Sequence, residues 1–190
     1  MNEWKRCCVV LAGVALVVLV GCTPQLTMDD LKAMKPQRPV ELDRLNAFAG
    51  DWESEAEMTI PGLDEVITGK GSSSATWECD GMMLVERSDF EMGELGSMSG
   101  ITVYTWDPKS KVYRAWWFNS WGEFAAGTMR YNEAKKTWKL RAKSKGAMGT
   151  ALSEMVVECV DENATEWTFT EWDSLRLCKH VEGKGVSTRK

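Results

Sequence analysis

Residues and segments on which several common functions depend are scarce in this sequence. A single histidine is present, which excludes sites built from two imidazoles, including most histidine-based zinc sites. The 23 lysine and arginine residues are outnumbered by 28 aspartate and glutamate residues, so the basic surface that nucleic acids require is missing. No apolar run reaches the roughly 18 residues of a membrane-spanning helix. These absences argue against nucleic-acid binding and against a polytopic membrane protein.

Paired cysteines are also scarce. Of six cysteines, two lie in an N-terminal apolar segment and Cys22 follows it, which leaves Cys79, Cys159 and Cys178 for the folded body. Three thiols allow at most one disulfide, and whether any two of them pair stays open. No C-x-x-C or zinc-ligand spacing occurs, so neither a metal nor another cofactor is predicted.

The N-terminus has the pattern of an export signal. A short basic segment precedes the uncharged apolar run Cys7–Val20, which is 14 residues long and is followed by Gly21-Cys22. This predicts a signal peptide over residues 1–21. With Leu19 three positions before the cysteine, the site resembles the lipobox of bacterial lipoproteins, in which the thiol carries diacylglycerol. The resemblance implies a lipid-attached Cys22, and an ordinary secretory peptide is the alternative.

The segment after the signal is predicted to connect the lipid to the folded body. Residues 22–40 contain three of the five prolines and favour a flexible tether around one short helical turn. The expected location is therefore the bacterial cell envelope. The protein would be anchored to a membrane by its N-terminal lipid, with the body outside the cytoplasm.

From residue 41 onward the pattern is that of one β-rich domain, residues 41–190. Leu42, Leu45 and Phe48 are spaced three apart and predict a short helix. Residues 51–60 then alternate without exception between two faces, which is the period of a β-strand. A short helix should therefore precede the first strand.

The rest of the chain repeats strands and turns. Strands are predicted near residues 51–60, 69–79, 82–90, 99–106, 111–119, 122–131, 136–144, 151–160, 165–172 and 175–182. Such spacing without a helical period predicts an all-β fold, an antiparallel up-and-down barrel of about ten strands whose closure removes exposed edges. A two-sheet sandwich is the alternative.

The start of the first strand carries a short motif. Gly50-Asp51-Trp52 follows the predicted helix and resembles the G-x-W signature of the calycins, which include the lipocalins. The resemblance implies that Trp52 plugs the bottom of the barrel and that a basic residue from the last strands packs across it. Arg176 is the expected partner, and Lys179 is the second candidate.

A second resemblance lies in the middle of the chain. The segment Trp117–Gly122 reads W-F-N-S-W-G and resembles a bacterial domain-of-unknown-function family with a lipocalin-like barrel, whose members read G-Y-D, W-x-D-S-x-G and G-x-Y-D. Thr105-Trp106-Asp107 replaces G-Y-D here, and Asn119 stands where aspartate is common. The resemblance extends over residues 41–190 and implies a fold but no established activity.

The barrel interior is the candidate site for a small apolar or amphipathic ligand. The predicted wall residues are Trp52, Met58, Trp77, Trp106, Trp117, Met129 and Trp138. Arg87 and Arg114 lie within strands and could clamp a carboxylate, as in fatty-acid-binding relatives of the calycins. Alternatively, the large indoles fill the barrel and the two arginines face water.

Charged faces and the histidine suggest further roles. Lys139, Arg141 and Lys143 share one strand face, which is either a solvated surface or a docking patch for anionic lipid headgroups. His180 lies on the last strand, near the position that the related nitrobindin barrels use for their haem ligand. Three hypotheses result: a ligand-binding barrel, a solid barrel that contacts other envelope components through loops around Trp121, and a haem-dependent enzyme. No catalytic constellation is found.

Overall fold

The computed structural model describes residues 26–147 and 149–190. The predicted signal peptide, residues 1–21, and the lipid-attachment candidate Cys22 lie outside these residues. Within the described part, no helix is both long enough and apolar enough to cross a bilayer. Helix α1 (Met28–Ala33) begins at Thr27, whose side chain accepts a hydrogen bond from the backbone of Asp30 while the Asp30 carboxylate accepts one from the Thr27 backbone. This reciprocal capping stabilises the single helical turn predicted for the tether.

Ten strands occur in the described residues and form a closed antiparallel barrel. They are β1 (Gly50–Thr59), β2 (Ile67–Glu78), β3 (Met83–Glu91), β4 (Ser97–Asp107), β5 (Val112–Asn119), β6 (Phe124–Asn132), β7 (Thr137–Gly146), β8 (Gly149–Cys159), β9 (Ala164–Asp173) and β10 (Lys179–Arg189). Each strand pairs with the next, and β10 pairs with β1. The predicted up-and-down barrel is confirmed, and the sandwich is excluded because no sheet edge is left open.

A short helix covers one end of the barrel. The 3-10 helix Val40–Ala47 precedes β1, and its Leu42 and Leu45 side chains are buried. A second 3-10 helix, Gly93–Leu95, connects β3 to β4. The helix predicted from the spacing of Leu42, Leu45 and Phe48 is therefore present, although it is wound as a 3-10 helix.

Two of the turns between strands begin with a side chain that accepts hydrogen bonds from its own turn. Asp107 begins the β4–β5 turn and accepts hydrogen bonds from the backbone N–H groups of Lys109 and Ser110, both at 3.1 Å. Asn132 begins the β6–β7 turn in the same way, at 3.2 Å from the Lys135 nitrogen. Side chains that accept from their own turn make aspartate and asparagine favourable openers, which explains why these two hairpins look alike in sequence.

Alternation along the strands separates an inner from an outer face. On β1, Trp52 and Ala56 point inward and are buried, whereas the glutamates between them face solvent. These glutamates pair with lysines of the two neighbouring strands. The pairs are Glu53 with Lys190 at 3.0 Å, Glu55 with Lys70 at 2.8 Å, and Glu57 with Lys184 at 2.9 Å. The outward-facing glutamates of β1 are therefore cross-strand partners for these lysines.

The barrel is a self-contained unit. Residues 38–190 form one compact body that includes both members of every strand pair and every residue of the hydrophobic core. No residue of α1 is buried. Since the sheet and core lie within residues 38–190, we expect this barrel fragment to fold without the preceding segment.

Candidate ligand-binding site

One end of the barrel is sealed by the G-x-W motif and the end of the last strand. Trp52 donates its Nε1 hydrogen bond to the Phe48 carbonyl oxygen at 3.0 Å. Arg189 lies directly opposite Trp52 in the β1–β10 pairing, and its guanidinium carbon is 4.4 Å from the centre of the tryptophan ring. The same guanidinium donates to the carbonyl oxygens of Ala47 and Ala49. These contacts connect the last strand to the helix and the first strand.

Glycine is required at the first position of the motif. Gly50 has a φ of +107°, and a Cβ atom there would lie 2.7 Å from Nη1 of Arg189. A larger residue would meet both a backbone penalty and a steric clash. The G-x-W motif therefore has a structural role, because it allows the guanidinium to lie across the barrel end.

The expectation that Arg176 packs on Trp52 is wrong. Arg176 lies in the β9–β10 turn at a φ of +58°, with its guanidinium 4.9 Å from the ring of Trp172, which faces outward. Lys179, the second candidate, lies at the start of β10 and forms an ion pair with Glu182. Because β1 and β10 run antiparallel, the residue beside Trp52 must come from the end of β10. This antiparallel closure was the signal that could have identified Arg189.

The half of the barrel next to this end is filled. Trp77, Trp106, Met129 and Trp138 belong to one core cluster with Leu42 and Leu45. Trp138 is 1% exposed, and its ring lies 5.3 Å from Phe48 and 4.9 Å from both Tyr113 and Tyr131. We call this the closed half. Four predicted wall residues are thus part of the packed core or lie against it.

In the opposite half of the barrel, which we call the open half, solvent reaches the inward-facing side chains. Inward-facing residues of this open half are partly exposed to solvent, although their side chains point away from the outer surface. They include Met58, Glu86, Ser88, Phe90, Met98, Trp117, Ser144, Phe169 and Glu171. Exposure on an inner face requires space inside the barrel. Only Met58 and Trp117 of the predicted wall residues lie in this half.

Glycines allow the aromatic rings of the open half to lie along the wall. A Cβ at Gly71 would be 2.6 Å from the ring of Phe90, and one at Gly185 would be 2.4 Å from the ring of Trp167. At Gly100, Nε1 of Trp117 is 3.0 Å from the same position. The rings cover the bare glycine backbone of neighbouring strands, so they occupy less of the centre. This packing explains how an interior rich in aromatics keeps accessible space.

Carboxylates give the open half its charge. The hydroxyl of Tyr104 donates to the Glu86 carboxylate at 2.8 Å, and burial together with this negative charge holds the pKa of Tyr104 well above its usual range. Burial also raises the pKa of Glu171, and the neighbouring charge of Glu123 adds to the shift. Ser144 donates to Glu171 at 3.4 Å. Sequence reasoning missed these carboxylates, although Glu86 shares the strand parity of the buried Leu84.

The two arginines proposed as carboxylate clamps face outward. Arg87 is largely exposed and lies 3.7 Å from Glu78, while Arg114 forms an ion pair with Asp107 at 2.8 Å. Arg114 and the turn amides hold the pKa of Asp107 well below its usual range. The expectation that these arginines line the interior is wrong. Val112–Phe118 is apolar on both faces, so its sequence could not show which parity faced inward.

The histidine and three of the cysteines lie among the described residues. His180 is half-buried at the irregular start of β10. Cys79, Cys159 and Cys178 carry free thiols, and burial raises the pKa of Cys159. Across residues 26–147 and 149–190, no group of three or more His, Cys, Asp or Glu side chains is arranged to hold a metal ion.

A depression of about 1010 Å³ on the outer surface is a weaker candidate site. It lies on the outer face of β8, β9, β10, β1 and β2. Two of its lysines, Lys70 and Lys184, are already paired with glutamates of β1. Because these charges are satisfied by cross-strand partners, the interior of the open half is the better candidate site.

Most of the barrel domain matches a known protein family. Residues 38–174 match the family described as "Protein of unknown function (DUF1579)". The chain belongs to the DUF1579 family. None of the curated proteins compared with the chain matches it.

Two solved structures show how widely the fold occurs. Rv2717c from M. tuberculosis superposes with a TM-score of 0.61 and 9% identity, covering 81% of this chain and 99% of its own. The S-type phycobiliprotein lyase CPES from Guillardia theta superposes with a TM-score of 0.54 and 9% identity, covering 87% of this chain and 98% of its own. At such identities the likeness extends to the fold alone.

The W-F-N-S-W-G segment of this DUF1579 protein spans the end of β5 and the β5–β6 turn. The Asn119 side chain accepts hydrogen bonds from the backbone N–H groups of Trp121 at 3.1 Å and Glu123 at 2.9 Å. Ser120 bonds to β4 through the backbone of Ser99. Gly122 takes a φ of +80°. The residues that carry the resemblance thus build a turn, and asparagine replaces aspartate because either side chain accepts these bonds.

Proposed function

We propose that this protein is a binding protein of the bacterial cell envelope that holds a small amphipathic molecule in the open half of its barrel. The observation that carries the proposal is the contrast between the two halves. Leu42, Leu45 and Trp138 of the closed half are almost completely buried, whereas the large inward-facing side chains Phe90, Trp117 and Phe169 of the open half are partly exposed to solvent. A cavity open at one end and sealed at the other is the usual arrangement of barrels that hold small ligands.

The lining restricts the chemical class of the ligand. Phe90, Trp117 and Phe169 offer apolar surface, and Glu86 and Glu171 place acidic groups nearby. An anionic headgroup would be repelled by these carboxylates, and among residues 26–147 and 149–190 no arginine faces into the open half to neutralise it. The proposed ligand is therefore neutral or cationic at its polar end, and fatty acids are disfavoured.

We also propose that the protein is a lipoprotein attached to a membrane through Cys22. The support is the apolar run of 14 residues ending at Gly21-Cys22 and the proline-containing tether that follows it. No catalytic role is assigned, since the proposal needs only binding. The fold shared with a phycobiliprotein lyase keeps an enzyme as the alternative.

Ligand binding can be tested with the barrel fragment, residues 38–190. Native mass spectrometry would detect a co-purified molecule, and titration with the neutral dye Nile red would measure access to the apolar lining. Ser88→Trp places an indole inside the open half, beside Gly100, whereas Ser74→Trp places the same group on the exposed face of the neighbouring strand. We expect the first variant to weaken dye binding about tenfold or more and the second to leave it unchanged.

Two results would overturn the binding proposal. One is an absence of both co-purified ligand and dye binding in the parent fragment. The other is equal dye binding by both tryptophan variants, which would place the dye outside the barrel. The lipid attachment is tested separately in the full chain, because a Cys22→Ser protein that fractionates with membranes as before, without processing, contradicts it.

A further inference from the structure

The outer face of β4, β5 and β6 carries an unusual group of exposed apolar side chains. Ile101, Phe118 and Phe124 lie side by side across the three strands, since each is paired directly with the next. Trp116 lies in the adjacent row, and Trp121 projects from the β5–β6 turn. Their exposed fractions are Ile101 39%, Trp116 37%, Phe118 49%, Trp121 48% and Phe124 43%. We call these five residues the aromatic face.

Positive charge surrounds this group. Lys145 pairs with Phe124 and Lys143 with Ala126 in the β6–β7 ladder, so both lysines extend from the same outer surface. Arg87 is paired with Ile101 on the other side. A cleft of about 290 Å³ beside Trp116 is bordered by Arg114 and Arg141. The aromatic face therefore lies between basic residues on both sides, in a chain whose net charge is −5.

Arg87, Arg114 and Arg141 each lie beside a carboxylate, but the two lysines of β7 differ from the lysines next to β1 in how their charges are compensated. Lys70, Lys184 and Lys190 each pair with a glutamate of β1. Among the described residues, neither Lys143 nor Lys145 takes part in an ion pair. The single carboxylate on the outer face of β4, β5 and β6 is Asp107, which lies at the far end of β4 and is held by Arg114. The two lysines are therefore available to an external anion.

We propose that the aromatic face docks the barrel onto the surface of an anionic phospholipid bilayer. Tryptophan and other large apolar side chains partition into the interfacial region, and lysines beside them interact with negative headgroups. A protein partner of opposite charge would need to be acidic and apolar together, whereas an anionic bilayer supplies both properties over any required area. The proposal is independent of ligand binding and of lipid attachment, because it concerns the outer surface of the barrel fragment.

Vesicle sedimentation of the barrel fragment tests this docking. Vesicles of equal parts phosphatidylglycerol and phosphatidylcholine are compared with phosphatidylcholine alone. We expect the fragment to bind the phosphatidylglycerol-containing vesicles, to bind the phosphatidylcholine vesicles more weakly, and to dissociate from the vesicles when salt is added. Each lysine near an anionic surface contributes about fivefold to partitioning, so Lys143→Gln with Lys145→Gln should reduce binding by about 25-fold. The control, Lys70→Gln with Lys184→Gln, makes the same charge change on the opposite side.

The apolar contribution is tested in the same assay. Phe118→Thr should weaken vesicle binding at least fivefold, whereas Val186→Thr, an exposed position on β10, should not change it. Circular dichroism establishes that each variant retains the β-barrel. Absence of binding by the parent fragment, or equal losses in the variants and their controls, overturns the proposal. Self-association of the parent fragment also overturns the proposal if Phe118→Thr abolishes it and the parent does not bind vesicles. That result assigns the aromatic face to a second copy of this chain.

Discussion

Replacing Arg189 should open the sealed end of the barrel and lower its stability measurably. Its guanidinium lies on the ring of Trp52 and donates to three carbonyl oxygens, those of Ala47, Ala49 and Glu162. Loss of one cation–π contact and one partly buried charged hydrogen bond costs about 2–4 kcal/mol. For a domain of this size we expect Arg189→Ala to lower the melting temperature by about 5–15 °C.

The control for this prediction is Arg176, the residue that the sequence analysis expected to pack on Trp52. Arg176 is exposed, and its guanidinium lies beside the outward-facing Trp172. Arg176→Ala should therefore change the free energy of unfolding by no more than about 0.5 kcal/mol. Arg189→Lys keeps the charge but not the planar group, and should retain about half of the lost stability. Thermal unfolding of the barrel fragment followed by circular dichroism measures all three. Equal destabilisation by the two alanine variants would refute this account of how the barrel closes.

Three further variants test the interior. Glu171→Gln should raise the melting temperature at pH 7, because burial raises the pKa of Glu171 in the folded protein. The stability that the protonated carboxyl contributes is lost as the pH rises from the pKa of the unfolded chain, about 4.3, through the folded pKa. A gain in melting temperature that persists below pH 4 would contradict this sign. Trp138→Ala should cost about 3–5 kcal/mol in urea unfolding, since the ring is fully packed, and a cost near zero would argue that the closed half is not filled. Gly50→Ala should cost about 1–2 kcal/mol through its positive φ and the approach of Arg189, and an unchanged midpoint would remove the reason given for the glycine.

The two interpretations of the tryptophan-rich interior each describe half of the barrel. Trp77, Trp106 and Trp138 fill the closed half together with the short helix. Trp117 and Trp167 lie along the wall of the open half over glycines. Composition could not separate the two arrangements, because ten tryptophans are compatible with either. The position of the helix decides between them by adding Leu42 and Leu45 to one end only.

Much of the architecture could be predicted from local features. Alternation in β1, the paired turn openers Asp107 and Asn132, and the helix before the G-x-W motif each depend on residues within about ten positions. Backbone propensity and turn hydrogen bonding act over such distances, so the sequence pattern reports them directly. The antiparallel barrel and its number of strands follow from these local signals.

The sites themselves were decided by long-range register. The contact between Arg189 and Ala49 joins residues 140 positions apart, and the outward direction of Arg87 and Arg114 depends on pairing with neighbouring strands. A shift of one residue in such a pairing reverses which side chains face inward. By itself, the sequence determined where strands and turns form, because those preferences are local. Which end is sealed, which side chains line the open half, and where the aromatic face lies were decided only when the sheet closed on itself.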